Sequence, residues 1–382
     1  MESEKLNQSI CFILTHVPNP RMNKRISEFK KLMPVSVICA RRASQNIWEP
    51  EHKDVEHVII DVDLPPSSQI FLRIMASYKF RKKMYSKLLE RRSAIVYSEG
   101  FDTLMLAVKY KKKYGCKLFF EVADLRESFI EKPHGIVNRV MTSVLFIRER
   151  RLFKSIDKLV ITSPKFYDLH YNKLIPEDKT IYVPNAPDLG AFDHYIHKSE
   201  GVFTVGFIGG IRYLTQMKML VDVAEILSIN VLFAGAGGTN SEYAEIKEYC
   251  KGKAGIFFTG HYDYGKDIAK LYGMTDCVYS VYNADNPNVK IALPNKLYEA
   301  VYCKLPIIVA KGTYLEELVK EWGVGVSVGH KNVTELKTEL SKLRDNKEYY
   351  EKIVQACEQK KADIIQMRQF RLADALLNDE RG

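Results

Sequence analysis

Lys296 and Glu299 stand three residues apart in the run Leu293-Pro294-Asn295-Lys296-Leu297-Tyr298-Glu299-Ala300-Val301. That spacing puts both on one face of a helix. Pro294 suits the start of such a helix, so Lys296 falls in its first turn. A cation at the positive end of a helix dipole is an odd choice unless an anion binds there. An ammonium for phosphate and a carboxylate for ribose hydroxyls could then face one ligand; a surface ion pair is the plainer use of the same two residues. A second feature suited to anions is Phe207-Ile208-Gly209-Gly210-Ile211-Arg212, between a strand-like and a helical run. Backbone amides and a helix dipole converge at such a turn. Glycine lets the chain approach an anion closely, and Arg212 adds a fixed cationic fork. A tight connection that binds nothing would read the same way.

The first half carries a different set. Glu99, Asp102, Glu121 and Asp124 fall near or just after strand-like runs, where a carboxylate could orient or deprotonate a hydroxyl. Asp124 is the first candidate for a catalytic role and Glu99 the second, against the simpler uses of capping a helix or pairing with Arg126. His16 and Arg21, after the first strand-like run, could line the same region. Asp61-Val62-Asp63 has the form of a metal-binding DxD motif, but it sits at a strand end and reads better as a strand terminator. No metal is expected. The seven cysteines (Cys11, Cys39, Cys116, Cys250, Cys277, Cys303, Cys357) show no CxxC spacing and mostly fall inside apolar runs. They read as reduced thiols in a reducing compartment and argue against a zinc site.

These residues need a scaffold. Strand-like runs at 9–14, 35–40, 58–62, 94–97, 117–122, 159–162 and 180–183 alternate with helical stretches such as 23–32, with a basic face, and 102–114. The grammar restarts with strands at 203–208, 230–234, 255–258, 277–281, 306–310 and 325–328, the second closed by the turn Gly235-Ala236-Gly237-Gly238. Helices are expected at 216–227, 267–272, 296–301 and 315–322. Alternation of this kind implies parallel, doubly wound sheets with ligands at the carboxyl ends of the strands. The restart marks a domain boundary, with 184–201 as linker.

At 382 residues the chain is long enough for two domains with their own cores. Residues 1–9 are polar and acidic and do not read as a signal peptide. No apolar stretch nears the roughly 18 residues that span a bilayer; Arg139, Arg148, Glu149 and Arg150 interrupt the best candidate. The chain is expected in the cytoplasm. The 57 Lys and Arg outnumber the 47 Asp and Glu, a net charge of +10, and the excess clusters at 79–92, 111–117 and 148–154. Solvated helix faces are the plain reading of these clusters. An anionic membrane surface, nucleic acid or a phosphorylated substrate are the functional ones.

From Gly206 to Gly329 the chain resembles the C-terminal domain of GT-B glycosyltransferases, in particular family 4, which includes many bacterial polysaccharide and glycolipid enzymes. The matches lie in order: strand-Gly-Gly-Ile-Arg, Leu232-Phe233-Ala234-Gly235-Ala236-Gly237, Thr259-Gly260-His261-Tyr262, the Leu271-Tyr272 to Asp276-Cys277-Val278 element, and the specific PNKLYEAVYCKLPII block. The first half resembles the family more loosely, through His16-Val17-Pro18-Asn19-Pro20-Arg21, Glu121-Val122-Ala123-Asp124-Leu125-Arg126 and Val183-Pro184-Asn185-Ala186-Pro187-Asp188.

The resemblance implies an α/β fold of the GT-B type, two doubly wound Rossmann-like domains facing a central cleft. Residues 1–190 would bind the acceptor and 201–361 the nucleotide sugar, with a C-terminal helix at about 362–382 packing back on the first domain. It implies a hexosyltransferase-like enzyme that moves a sugar from a nucleotide-diphosphate donor to a saccharide or lipid-linked acceptor, with retention and without a cofactor. It places Gly209, Gly210, Arg212, Asn295 and Lys296 at the donor, the diphosphate above all, Glu299 on the ribose, and His261, Tyr262 and Tyr264 near the base. His16 and Arg21 fall on the acceptor side.

Three positions depart from the family pattern. Ile291 replaces a second glutamate, with Asp285, Asn286 or Asn288 as substitutes. Gln216 stands where a lysine is common, leaving Arg212 or Lys218 to compensate. Ala123 precedes Asp124 where histidine is common. Two competing functions remain: a sugar-nucleotide epimerase on the same fold, and a nucleic-acid binder using Tyr78, Phe80, Tyr85, Tyr110 and Tyr114 among the basic clusters. The second is disfavoured, because those aromatics recur at helical spacing. The basic half would instead allow a peripheral position on the inner face of a membrane.

Overall fold

The short apolar runs become strands of two parallel sheets in a computed structural model, which describes residues 6–42, 48–62, 70–125, 136–197, 201–236 and 241–378. In the first half, β1 (Asn7–Leu14), β2 (Val35–Arg41), β3 (Glu56–Asp61), β4 (Ser93–Glu99), β5 (Lys117–Val122), β6 (Lys158–Ile161) and β7 (Thr180–Tyr182) take the order β3-β2-β1-β4-β5-β6-β7. Every pairing is parallel. Five successive residues of β1, Ile10 to Leu14, are fully buried, as both sides of a strand must be when helices cover both faces.

The helices of this half are α1 (Pro20–Phe29), α2 (Ile70–Arg91), α3 (Phe101–Tyr114), α4 (Ile136–Phe153) and α5 (Pro164–Leu169). The strand order reverses between β1 and β4, so right-handed crossovers put α1 on one face of the sheet and α2, α3 and α4 on the other. The start of α1 follows from its sequence. The Asn19 side chain accepts from the Met22 amide at 3.0 Å and Pro20 fills the first helical position, two signals that act together.

The second half repeats the plan. Strands β8 (Thr204–Ile208), β9 (Asn230–Ala234), β10 (Ile256–Gly260), β11 (Cys277–Ser280), β12 (Ile307–Ala310) and β13 (Gly325–Val328) take the order β10-β9-β8-β11-β12-β13, all parallel. Its helices are α6 (Leu214–Leu227), α7 (Glu242–Tyr249), α8 (Tyr264–Gly273), α9 (Pro287–Ile291), α10 (Asn295–Tyr302), α11 (Tyr314–Trp322), α12 (Val333–Asp345) and α13 (Lys347–Gln369), and the last helix of the chain is α14 (Leu372–Asn378). Asp263, Thr313, Asn332 and Asn346 cap α8, α11, α12 and α13 through side-chain oxygens.

The chain divides into two compact units, 1–183 with 371–382, and 184–370. In the first, Leu372, Ala373 and Leu376 of α14 join the core made by Met22, Ile26 and Phe29 of α1. The expected linker 184–201 is not a free connection over its described part. Phe192 is buried between the rings of Tyr272 and Tyr302, at 5.7 and 5.6 Å, the Asn185 amide donates to the Leu293 carbonyl, and the Tyr195 hydroxyl donates to the Cys303 carbonyl. An aromatic ring and two buried carbonyls to satisfy make this stretch part of the second unit. All seven cysteines are buried and unpaired, and burial pushes the Cys11 thiol up to about 12.

The basic face expected on 23–32 is also revised. The helix is Pro20–Phe29, and Arg25 is buried, with Nε and Nη2 3.3 and 3.4 Å from the Glu121 carboxylate. Glu121, fully buried on β5, also accepts from the Tyr97 hydroxyl and faces Arg21 Nε at 3.0 Å. Breaking such a pair from one side strands a buried charge. Arg25→Leu is therefore expected to lower unfolding free energy by about 3–5 kcal/mol, read by urea titration. Adding Glu121→Leu should recover much of the loss, and an unchanged midpoint in the single variant would refute the pairing.

Candidate functional site

In each unit the chemically suggestive residues collect at the carboxyl ends of the strands where its own sheet reverses order. In the second unit these are β8 and β11. Lys296 is the second residue of α10, only 8% exposed. Its ammonium donates to the Tyr282 hydroxyl at 2.8 Å and lies 4.6 Å from the Phe207 ring centre and 5.4 Å from that of Tyr282. The aromatic faces offset part of the cost of a cation at a helix start. Among the described residues no carboxylate approaches it within ion-pair distance.

The backbone just past β8 is shaped around that ammonium. Gly209 has φ +142°, and a Cβ there would lie 2.8 Å from Lys296 Nζ. Gly235, past β9, has φ +131°, and its Cβ would strike the Gly209 carbonyl oxygen at 2.1 Å. The two glycines let neighbouring strand ends close up under the lysine, which a side chain at either would prevent. Gly210 and Arg212 are exposed on the same turn.

Glu299 is buried one turn further along α10, and both its oxygens are held: Tyr264 donates to Oε1 at 2.7 Å and Tyr272 to Oε2 at 2.6 Å. Burial raises its pKa, with the two hydroxyls and the Lys296 charge opposing. Burial, with the Glu299 charge and hydrogen bond, raises both tyrosines, so they serve as neutral donors. The surface ion pair between Lys296 and Glu299 does not form. Both are buried, and each has other partners. Tyr262 is half-buried, and His261 and Asn295 are exposed.

Of the substitutes considered for the departures, Asp285, Asn286 and Lys218 have other uses. Ile291 is buried in the core. Asp285 is exposed and paired with Lys331 at 2.6 Å and His330 at 3.4 Å, and Asn286 caps α9. Gln216 is buried and donates to the His330 carbonyl at 2.9 Å. Lys218 lies over the Tyr249 ring. Arg212 is left as the exposed cation beside the glycine turn.

The first unit has a cavity of about 420 Å³ at the ends of β1, β4 and β5, lined by Thr15, His16, Glu99, Asp102, Glu121 and Asp124 among others. A chain of charges runs into it: Arg25 on Glu121, Glu121 on Arg21, Arg21 on Glu99, and Glu99 on His16 at 3.1 Å. Sequence reasoning missed Arg25, although it follows Arg21 at the i,i+4 spacing, and missed Tyr97. It also missed the buried pair of Glu149, which lines the cavity, with His170 at 2.8 Å. Burial alone would raise Glu99, but His16 and Arg21 hold it below the usual carboxylate range. A carboxylate so held is a weak base, and its geometry fits positioning of His16. Asp124 is exposed at the lip and Asp102 faces Arg81 at 3.4 Å. Asp61 pairs with Arg41 at 2.7 Å. Asp63, Arg126, Gly237 and Gly238 lie outside the described residues.

His16 donates from Nδ1 to the Val17 carbonyl at 2.8 Å, so a proton on Nε2 makes the ring an imidazolium against Glu99. Burial lowers its pKa, and Glu99 with the Val17 carbonyl outweighs burial and raises it above 6.5. A raised histidine contributes stability that is complete below its unfolded value and is lost as pH rises through the folded one. NMR titration should place the His16 midpoint above 6.5 in the wild type and lower it in Glu99→Gln. An identical midpoint in both would disconnect the two residues.

Comparison with known proteins agrees with this layout. Residues 193–360 match the family model described as glycosyl transferases group 1. The succinoglycan biosynthesis protein ExoL of Rhizobium meliloti is 20% identical over 271 residues, 67% of this chain and 65% of ExoL; the match thus spans just under two thirds of that relative. Sucrose-phosphate synthase of Thermosynechococcus elongatus superposes with TM-score 0.71 at 13% identity, over 98% of this chain and 100% of that one. Anabaena HepE in complex with UDP-glucose superposes with TM-score 0.68 at 13% identity, over 98% and 100%. The chain has the GT-B fold of these structures, and its residues 193–360 match the group 1 glycosyl transferase module.

Proposed function

We propose that this chain transfers a hexosyl group from a UDP-sugar to a hydroxyl of a saccharide or lipid-linked saccharide, in polysaccharide or glycolipid biosynthesis. The observation that carries the reading is the Lys296 ammonium, buried beside the Gly209 turn without a carboxylate partner. A desolvated cation is costly unless an anion completes its site, and a diphosphate held at a strand-to-helix turn is the anion this geometry suits. The uridine is taken from HepE, whose complexes hold UDP and UDP-glucose, and the polymer setting from the name of ExoL.

As the glycosidic bond breaks, charge grows on the leaving diphosphate. Lys296, Arg212 and the amides of the Gly209-Gly210 turn stabilise it there, and no metal is invoked. Glu299 presents the ribose site. Each carboxylate oxygen can accept more than one hydrogen bond, so the tyrosine contacts that orient it leave capacity for ribose hydroxyls. Tyr262, Tyr264 and His261 flank the base. On the acceptor side, carboxylates suit a neutral polyhydroxyl ligand, with Asp124 nearest to solvent, and His16 and Arg21 set by Glu99. The anomeric configuration is retained.

The test is incubation with UDP-hexoses, with and without oligosaccharide acceptors, and resolution of the nucleotide and sugar products. UDP release that depends on acceptor and yields an extended, configuration-retained saccharide is expected. Lys296→Met should lower kcat by about 100- to 1000-fold while the fold persists. An altered UDP-sugar formed without acceptor would instead identify an epimerase, and neither product with any donor would reject the proposal.

A further inference from the structure

We infer that Tyr282 is a ligand-binding residue whose hydroxyl donates to the same oxyanion that the Lys296 ammonium grips, and that Tyr213 holds its ring in place. This rests on the diphosphate reading of the Lys296 site and adds to it a neutral donor and the residue that positions that donor.

The direction of one hydrogen bond carries the inference. An ammonium has only protons to give, whereas a phenol both donates and accepts. In the 2.8 Å contact Lys296 is therefore the donor and the Tyr282 oxygen the acceptor, so the phenolic proton is directed away from the ammonium. Among the described residues that proton meets no acceptor, and no other oxygen takes the remaining protons of Lys296. Two donors, one charged and one neutral, thus stand side by side at the end of β8.

Such a pair suits an anion with several acceptor oxygens. A phosphate can take the ammonium on one oxygen and the phenol on another, and hydrogen bonds to an ionised group are the stronger kind. A neutral ligand would leave the ammonium only partly compensated.

Tyr282 lies two residues past β11, outside any helix or strand, yet its ring is flanked on two sides. The Phe207 ring stands at 90° to it with centres 6.4 Å apart, and the Tyr213 ring centre is 5.3 Å away. Phe207 comes with β8. Tyr213 sits just ahead of α6 with φ +63° and ψ +57°, a left-handed backbone that glycine takes readily and an aromatic residue seldom does. Backbone of this kind persists where its surroundings impose it, and it collects at ligand sites. Here the residue so held is the one whose ring meets Tyr282. Arg212 precedes it, so a single turn supplies both an exposed guanidinium and the ring that fixes the phenol.

Isothermal titration of UDP, uridine and inorganic diphosphate against the full chain and three variants tests the inference, with thermal midpoints measured alongside to confirm folding. Tyr282→Phe keeps the ring and removes the hydroxyl. It should weaken UDP and inorganic diphosphate about 10- to 100-fold, the range for a hydrogen bond to a charged group, and leave uridine unchanged. Tyr213→Ala should weaken UDP at least fivefold, again without effect on uridine, and Tyr213→Phe should bind UDP as the wild type does.

UDP affinity that is unchanged in Tyr282→Phe would overturn the inference and leave the diphosphate reading standing. Tighter binding would do the same, by making the hydroxyl a competitor for Lys296. Equal losses for uridine and UDP would reduce Tyr282 to a structural support, and a Tyr213→Phe protein as weak as Tyr213→Ala would remove Tyr213 from its positioning role. A wild type that bound inorganic diphosphate but not UDP would reject the nucleotide, with Tyr282→Phe then judged on the inorganic ion. Binding of neither would reject the diphosphate reading and the inference with it.

Discussion

An ammonium group out of water needs compensation, and the second unit is arranged around supplying only part of it to Lys296. Two aromatic faces and one hydroxyl hold the group, which is enough to fix its position and less than a carboxylate would give. Many local choices then become intelligible. Gly209 leaves the space that the ammonium fills, and Gly235 lets the neighbouring strand end approach Gly209. Pro294 starts α10 where its first turn points at the end of β8, and the parallel order β8-β11 brings Phe207 and Tyr282 to the same edge. A carboxylate in Tyr282's place would stabilise the empty protein and compete with the ligand. The partial compensation is what leaves a site.

The first unit handles buried charge in the opposite way. Its chain of Arg25, Glu121, Arg21, Glu99 and His16 alternates in sign, so each member is paired. Such a network rigidifies the ends of β1, β4 and β5 and ends on an imidazole at the cavity. Its energetic value lies in avoiding the cost of breakage rather than in net gain. The two units thus share a topology, each with a switch point at its first strand, yet one presents a paired polar lattice and the other a cation only partly compensated.

Much of this is legible in the sequence. The parallel strands read clearly because burial on both faces writes them as short, largely apolar runs, 117–122, 230–234 and 325–328 falling on β5, β9 and β13 without adjustment. The turn at Gly209 and the first-turn Lys296 were visible because both break local rules, and broken local rules collect at functional sites. What stayed hidden depends on distant contacts. Glu299 is held by Tyr264 and Tyr272, 35 and 27 residues away, and no local pattern predicts such partners. Arg25 looked like a surface base because its partner, Glu121, lies 96 residues on. The stretch after Val183 reads as a linker from its prolines and polar residues, while Phe192, Asn185 and Tyr195 anchor it through distant partners.

On the proposed reading, the anion that completes the Lys296 site is the diphosphate of a nucleotide. Isothermal titration of uridine, UMP and UDP against the wild-type chain and Lys296→Met asks this directly. Affinity should rise steeply from uridine to UDP in the wild type, and most of that gain should vanish in Lys296→Met while uridine binds both proteins alike. Equal affinity for uridine and UDP, or a phosphate-dependent gain that survives the substitution, would contradict the account.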